Sequence, residues 1–272
     1  AHIPPMNSIE QFYNQDAHSE WMRFDRHRTE FAVTLRALAE FLPPPPAQIL
    51  DVGGGPGRYA IALTKQGYAV TLVDLAQNNL EHARTNALVA GVTLADIQQG
   101  NALDLSRFAA NRYDVVLLMG PLYHLFTEQD RAQAVAEAYR VVKPGGLIFA
   151  AFITPFAQVR FWASVNPNWL LEYRDYAERS LRTGIHEPHL GFTDAYFTHP
   201  SEVCPLLEKG GFSTLRLMGS EGVVAGMEEQ VNQLTGEAWD LWVDLNYRLG
   251  QDPSLYGASD HLLYVGCKAL ET

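Results

Sequence analysis

From Ala47 onward, short apolar runs rich in Val, Ile and Leu alternate with longer stretches that place an apolar residue every three to four positions. The first pattern fits strands and the second fits amphipathic helices. Their alternation is how a parallel sheet with covering helices reads. The predicted strands are Gln48–Gly53, Tyr68–Asp74, Leu94–Gly100, Tyr113–Met119 and Leu147–Phe152. Tyr113–Met119 (YDVVLLM) is apolar on both faces, as a central strand covered on both sides should be. Between the strands the spacing predicts helices over Tyr59–Gln66, Gln77–Ala90 and Asp130–Val142. The last of these should stop at Lys143-Pro144-Gly145-Gly146, since Pro and Gly do not extend a helix.

Upstream, Ala17–Phe41 reads as one amphipathic helix, closed by the stiff spacer Pro43–Pro46. Downstream, regularity lapses over Thr154–Ala195, where Trp162, Trp169, Tyr173 and Tyr176 gather and Pro155 and Pro167 interrupt the pattern. It returns as a helix over Thr198–Glu208, a strand Ser213–Gly219, a long helix Gly226–Leu249 and a last strand His261–Lys268. The chain thus divides into an N-terminal helical lid and proline spacer (1–46), a core (47–153), a helical, aromatic cap inserted in it (154–195) and the remainder of the core (196–272).

Composition narrows the function classes. Of 272 residues, 47% are apolar and 19% charged, which is globular rather than disordered. No apolar run reaches the roughly 20 residues that span a bilayer, and no basic stretch followed by an apolar one opens the chain, so no membrane partner or secretion signal is expected. The net charge of −11 disfavours nucleic acid as a partner, because phosphate binding draws on Lys and Arg. Cys204 and Cys267, the two cysteines, have no metal-ligand spacing and suit a reducing, cytoplasmic location.

The most informative segment is Asp51-Val52-Gly53-Gly54-Gly55-Pro56-Gly57, where a strand runs into glycines that open a helix. Backbone can approach a ligand there without side chains in the way. A dinucleotide fingerprint needs G-x-G-x-x-G, and counting from Gly53 its third glycine falls on Arg58. The spacing here is G-x-G-x-G, which departs from a nucleotide-dependent dehydrogenase. One helix and one strand later, Asp74 ends a strand where a carboxylate can accept from both hydroxyls of a ribose.

Taken together, DVGGGPGRYAIAL, LVDLA, GNALDL, YDVVLLMGPLYHL and VVKPGGLIFAAF resemble, in order and spacing, the successive motifs of class I S-adenosylmethionine-dependent methyltransferases. The match covers about 48–152, and HLLYVGCK resembles that family's reversed closing strand. The resemblance implies a Rossmann-like α/β fold: a seven-stranded, mostly parallel sheet with a reversed C-terminal strand, an N-terminal helix and a helical insertion after strand five. It also implies S-adenosylmethionine as cofactor, leaving as S-adenosylhomocysteine. Gly53 and Gly55 should hold its amino-acid end, within the loop that includes Gly54 and Gly57, with Asp51 ordering the loop beneath. Asp74 should bind the ribose diol and Leu75 flank the adenine. Asn101 and Ala102 should meet the adenine edge; many relatives carry Asp where Asn101 stands, but an amide oxygen can still accept from the exocyclic amine. Met119 and Gly120 should sit beside the sulfonium.

Methyl transfer from a sulfonium is an in-line displacement with an already activated leaving group. Positioning can supply roughly 7–11 kcal/mol of the barrier, and a base adds about 10²–10⁴-fold where the acceptor arrives protonated. Tyr123 and His124, after the fourth strand, are the candidate catalytic or orienting groups; each could equally shape the pocket wall. No metal is expected: relatives that bind a catechol through a divalent ion carry Asp and Asn after the fourth strand, and Gly-Pro-Leu-Tyr-His-Leu has no carboxylate. His186 and His189 have no acidic partner at ligand spacing. In the N-terminal helix Tyr13, Trp21 and Arg26 are candidates for cofactor or substrate contact, while Trp21, Phe24, Arg28 and Phe31 at helical spacing form in part a packing face. Phe156, Trp162, Trp169, Tyr173 and His186 could wall a pocket or pack on the core. The leading expectation is a small-molecule methyltransferase acting at oxygen or nitrogen. The alternatives are a methyltransferase for protein or RNA and, from another class, a non-catalytic S-adenosylmethionine sensor. The oligomeric state has no signature in the sequence.

Overall fold

The computed structural model describes residues 8–187 and 193–270. Two helices open it, α1 (Ser8–Arg26) and α2 (Arg28–Phe41). The core follows as β1 (Gln48–Val52), α3 (Arg58–Lys65), β2 (Ala69–Asp74), α4 (Gln77–Val89), β3 (Asp96–Gln99), β4 (Tyr113–Leu118), α5 (Glu128–Val141) and β5 (Val142–Ile153). Next come α6 (Phe156–Val165), α7 (Trp169–Thr183), the short pair β6 (Ile185–His186) and β7 (Ala195–Tyr196), then α8 (Pro200–Lys209) and β8 (Phe212–Gly219). The chain ends on α9 (Glu228–Asn232), α10 (Gly236–Leu249) and β9 (His261–Lys268).

Seven strands form one sheet in the order β3-β2-β1-β4-β5-β9-β8. The pairs from β3 to β5 are parallel, and β9 runs antiparallel to both of its neighbours, so the reversed C-terminal strand is as expected. Side chains alternate across the sheet with period two, and the core divides accordingly. Leu50, Val116, Ile148 and Tyr264 face α5 and α8. Ile49, Val115, Phe149 and Leu263 face α2, α3, α4 and α10. The result is three layers, helix on sheet on helix, the Rossmann-like arrangement. No helix among the described residues is long and apolar enough to cross a membrane.

Three elements differ from the sequence reading. The expected helix Ala17–Phe41 starts at Ser8 and breaks at His27, whose backbone leaves helical geometry (φ −110, ψ 53). The break lets Arg23 reach across to Glu30 and His27 to Glu228, long-range partners that periodicity does not register. The expected helix Gly226–Leu249 is interrupted at residues 233–235, where Arg28 donates to the carbonyls of Asn232 and Leu234 and lies 4.1 Å over the Trp239 ring. Lys143–Gly146 does end α5, but those residues belong to β5 as a bulge: Tyr113 pairs with Val142, and two residues on, Val115 pairs with Leu147.

Candidate active site

The sheet reverses its direction of winding between β1 and β4, and in open α/β sheets a crevice opens at that point beyond the carboxyl ends of the strands. The loops after β1 and β4 meet there. Gly53 has φ +74, and a Cβ on it would come within 2.6 Å of Pro121 Cδ, so both the turn and the contact require glycine. Gly53 and Gly54 donate backbone N–H to Val73 O at 2.7 and 3.2 Å, which ties the loop to the end of β2. Gly57, at φ +92, is the left-handed residue from which α3 starts.

Asp74 closes β2 directly beneath. One carboxylate oxygen accepts from Gly55 N–H at 2.8 Å, the other from Ala76 N–H at 2.9 Å and Asn79 Nδ2 at 3.0 Å. Burial raises its pKa, and those three donors pull against the rise. Asp51 is 2% exposed, and its Oδ2 has no hydrogen-bond partner among the described residues. Burial, then the neighbouring Asp74 charge, push its carboxyl up to about 7. A buried carboxylate oxygen without a partner among the described residues, beside a second carboxylate, can accept from a donor or a cationic group.

A cavity of about 390 Å³ opens between the two loops and α1. Of the residues singled out in the sequence, Tyr13, Asp51, Gly53, Gly54, Gly55, Asp74, Leu75, Asn101, Ala102, Met119, Gly120, Tyr123 and His124 all line it. Gly57, Trp21 and Arg26 are outside its lining. Trp21 lies 4.5 Å beneath the Arg58 guanidinium, and Arg26 is exposed, its carbonyl accepting from Asn232. Of the side chain of Phe24 nothing is described, and His189 lies outside the described residues.

His124 is held at both ring nitrogens. Nδ1–H donates to Asp194 O at 3.0 Å, which leaves Nε2 to accept from the Tyr13 hydroxyl at 2.8 Å. Burial lowers the imidazole to about 4, and burial raises the Tyr13 and Tyr123 hydroxyls. All three groups are therefore neutral around pH 7. Ser8 Oγ donates to Asp194 Oδ2 at 2.6 Å, and Asn78 bonds Asn14 twice, at 2.9 and 2.7 Å, so α1 is fastened on two further sides.

Sequence reasoning missed Glu20, Arg23, Glu30, Asn79 and Ser220, which also line the cavity. Burial works against the Arg23 charge, but Glu30 and Glu20 more than offset it. No local motif marks these residues; Asn79 alone, one turn into the helix after Asp74, follows a recognised element. The cap aromatics stay together instead: Trp162 and Trp169 stack at 5.3 Å, Tyr173 joins them at 5.5 Å, and His186 Nδ1 meets Tyr176 Oη at 2.6 Å.

The family profile described as methyltransferase domain matches residues 49–146. A ubiquinone biosynthesis O-methyltransferase of Leptothrix cholodnii is 30% identical over 64% of this chain and 67% of its own length. The chain belongs to the class I S-adenosylmethionine-dependent methyltransferases. The corresponding Nitrosococcus oceani enzyme is 31% identical to this chain over 63% of its residues, and the chain spans 66% of that relative's length. A solved S-adenosylmethionine-dependent methyltransferase of Methanosarcina mazei shares the fold of this chain with a TM-score of 0.58 at 18% identity, over 86% of this chain and 98% of its own.

Proposed function

We propose that the chain transfers a methyl group from S-adenosylmethionine to a hydroxyl of a small-molecule acceptor, the nitrogen analogue being the secondary target. The carrying observation is the pair of carboxylates at the floor of the glycine loop, Asp51 with an Oδ2 that has no partner among the described residues and Asp74 accepting Gly55 N–H. The residues present fit the cofactor. Asp51 can accept from its ammonium group, Gly53 and Gly55 leave backbone open to its amino-acid end, and Asp74 can exchange the Gly55 N–H for ribose hydroxyls. Leu75, Asn101 and Ala102 suit the adenine, and Met119 and Gly120 the sulfur.

When bound, S-adenosylmethionine supplies a methyl group already activated by its sulfonium. The remaining work is positioning. A neutral His124, tied at both nitrogens, is a weak base for a hydroxyl acceptor and fixes Tyr13 as a wall of the cavity. Helix α1 acts as the lid that excludes water, and Tyr13, Tyr123 and Arg23 orient the acceptor. The O-methyltransferase names of the relatives support oxygen as the acceptor atom, and the two free cysteines support a reducing, cytoplasmic location.

Calorimetric titration with S-adenosylmethionine and S-adenosylhomocysteine tests the reading. Micromolar binding that weakens at least about tenfold, about 1.4 kcal/mol, in Asp74→Ala supports it, and transfer of labelled methyl to phenolic acceptors completes it. A folded protein that binds neither compound sinks it.

A further inference from the structure

Helix α1 turns one face toward the chamber, and Tyr13, Glu20 and Arg23 on that face line the cavity. Tyr13 and Glu20 are seven positions apart, which is two helical turns. Glu20 stands over the glycine loop: its Cγ lies 3.8 Å from where a Cβ on Gly55 would sit, an ordinary contact distance. Gly55 is also the residue whose N–H Asp74 accepts. From the other side Asp51 comes up beneath the loop, its Oδ2 only 2.8 Å from where a Cβ on Gly54 would sit. That Oδ2 has no hydrogen-bond partner among the described residues. The loop therefore has Asp51 and Asp74 on the sheet side and Glu20 on the side of α1.

Glu20 is not used up by its neighbours. The nearest cation, Arg23, stands 3.7 Å away through Nε, beyond hydrogen-bond distance, and its two terminal nitrogens fork Glu30 at 2.5 and 2.9 Å. Arg23 belongs to the hinge between α1 and α2, where Glu30 also faces His261 at 3.8 Å, His261 meets Glu221 at 2.5 Å and His27 meets Glu228 at 2.8 Å. One guanidinium between Glu20 and Glu30 leaves negative charge over the loop. Its neighbours register it: the Glu20 charge adds to burial in raising the Asp74 carboxyl and the Tyr13 and Tyr123 hydroxyls. A guest lying along the loop meets carboxylates from both sides, and a primary ammonium, with three N–H donors, can serve both.

We propose that Glu20 binds the ammonium group of S-adenosylmethionine from above, opposite Asp51, so that the cofactor itself holds α1 closed over the chamber. The inference rests on the cofactor reading given under the proposed function and adds to it a residue that ties the position of α1 to the amino-acid end of the ligand. A ligand that keeps adenine, ribose and sulfur but lacks that end enters the chamber without fastening the helix.

The test titrates the full chain calorimetrically with S-adenosylhomocysteine and with methylthioadenosine, which has adenine, ribose and sulfur but no amino-acid end. Glu20→Gln, of equal size and on a partly exposed helix face, should weaken S-adenosylhomocysteine about tenfold or more and leave methylthioadenosine within about twofold. In wild type, S-adenosylhomocysteine should slow tryptic cleavage after the exposed Arg26 at the end of α1, and saturating methylthioadenosine should not. The cleavage assay decides alone where circular dichroism shows that the variant has not folded. Equal weakening of both ligands, no weakening of either, or equal protection by both overturns the proposal and leaves the cofactor reading intact. A folded wild type that binds neither compound overturns both.

Discussion

Asp51→Asn isolates what the unpartnered carboxylate costs the fold. Its side chain is 2% exposed, and burial together with Asp74 raises its pKa from the ordinary 3.8 to about 7. A carboxyl that holds its proton more tightly folded than unfolded contributes most to stability below 3.8, and that contribution is lost as pH rises through about 7. The interval between the two values corresponds to about 4 kcal/mol. Asparagine has nearly the same shape and no such titration. Between pH 5 and pH 9 wild type should therefore lose about 2–3 kcal/mol relative to Asp51→Asn, the rest of the interval lying below pH 5. Urea unfolding followed by fluorescence of the five tryptophans reads this directly at pH 5, 7 and 9. All other titrating groups except the neighbouring Asp74 are common to both proteins and cancel. A stability difference that stays within about 1 kcal/mol of constant across that range would refute the argument. The same variant should bind S-adenosylmethionine at least about tenfold more weakly.

Three further outcomes follow from the same geometry. His124 is lowered to about 4 from 6.5, so it adds stability that is present above 6.5 and lost as pH falls through 4; the loss is about 3 kcal/mol, and acid titration of His124→Gln should lack it. Gly53→Ala places a Cβ 2.6 Å from Pro121 Cδ at φ +74, and should cost about 2–4 kcal/mol in denaturant unfolding along with cofactor affinity. Lys268 donates from Nζ to Asn111 Oδ1, Tyr139 O and Val142 O at 2.7, 2.8 and 2.9 Å, so Lys268→Met should cost about 3 kcal/mol or more by the same measurement.

The strands and the glycine loop were legible because their determinants are local. The continuous apolar runs YDVVLLM and LIFAAF reappear as central strands that feed both faces of the core, and Asp74 could be found by counting one helix and one strand from Gly53. The break at residues 233–235 runs into Gly236 at φ +56, a local signal the helix reading passed over. The break at His27 was illegible because no Pro or Gly marks it, and the contacts that accompany it, Arg23 to Glu30 and His27 to Glu228, obey no i+3 or i+4 helical spacing. Half of the candidate site has the same origin. His124 stood out by its place after the fourth strand, yet its partner Tyr13 lies 111 positions away. The charged centre around Glu30 draws on α1, α2, α9 and the ends of β8 and β9, and no spacing rule joins segments so far apart.

Helix α1 is fastened over the cavity at three points: Ser8 to Asp194, Tyr13 to His124, and Asn14 to Asn78. Those anchors sit on the segment before β7, the loop after β4 and the start of α4, so under the proposed function the helix spans both the cofactor half and the acceptor half of the chamber. Release of either product must then wait for the same undocking step. Such an arrangement couples the dissociation rates of two chemically unrelated ligands, and it makes steady-state turnover sensitive to solvent viscosity even when the methyl acceptor is changed.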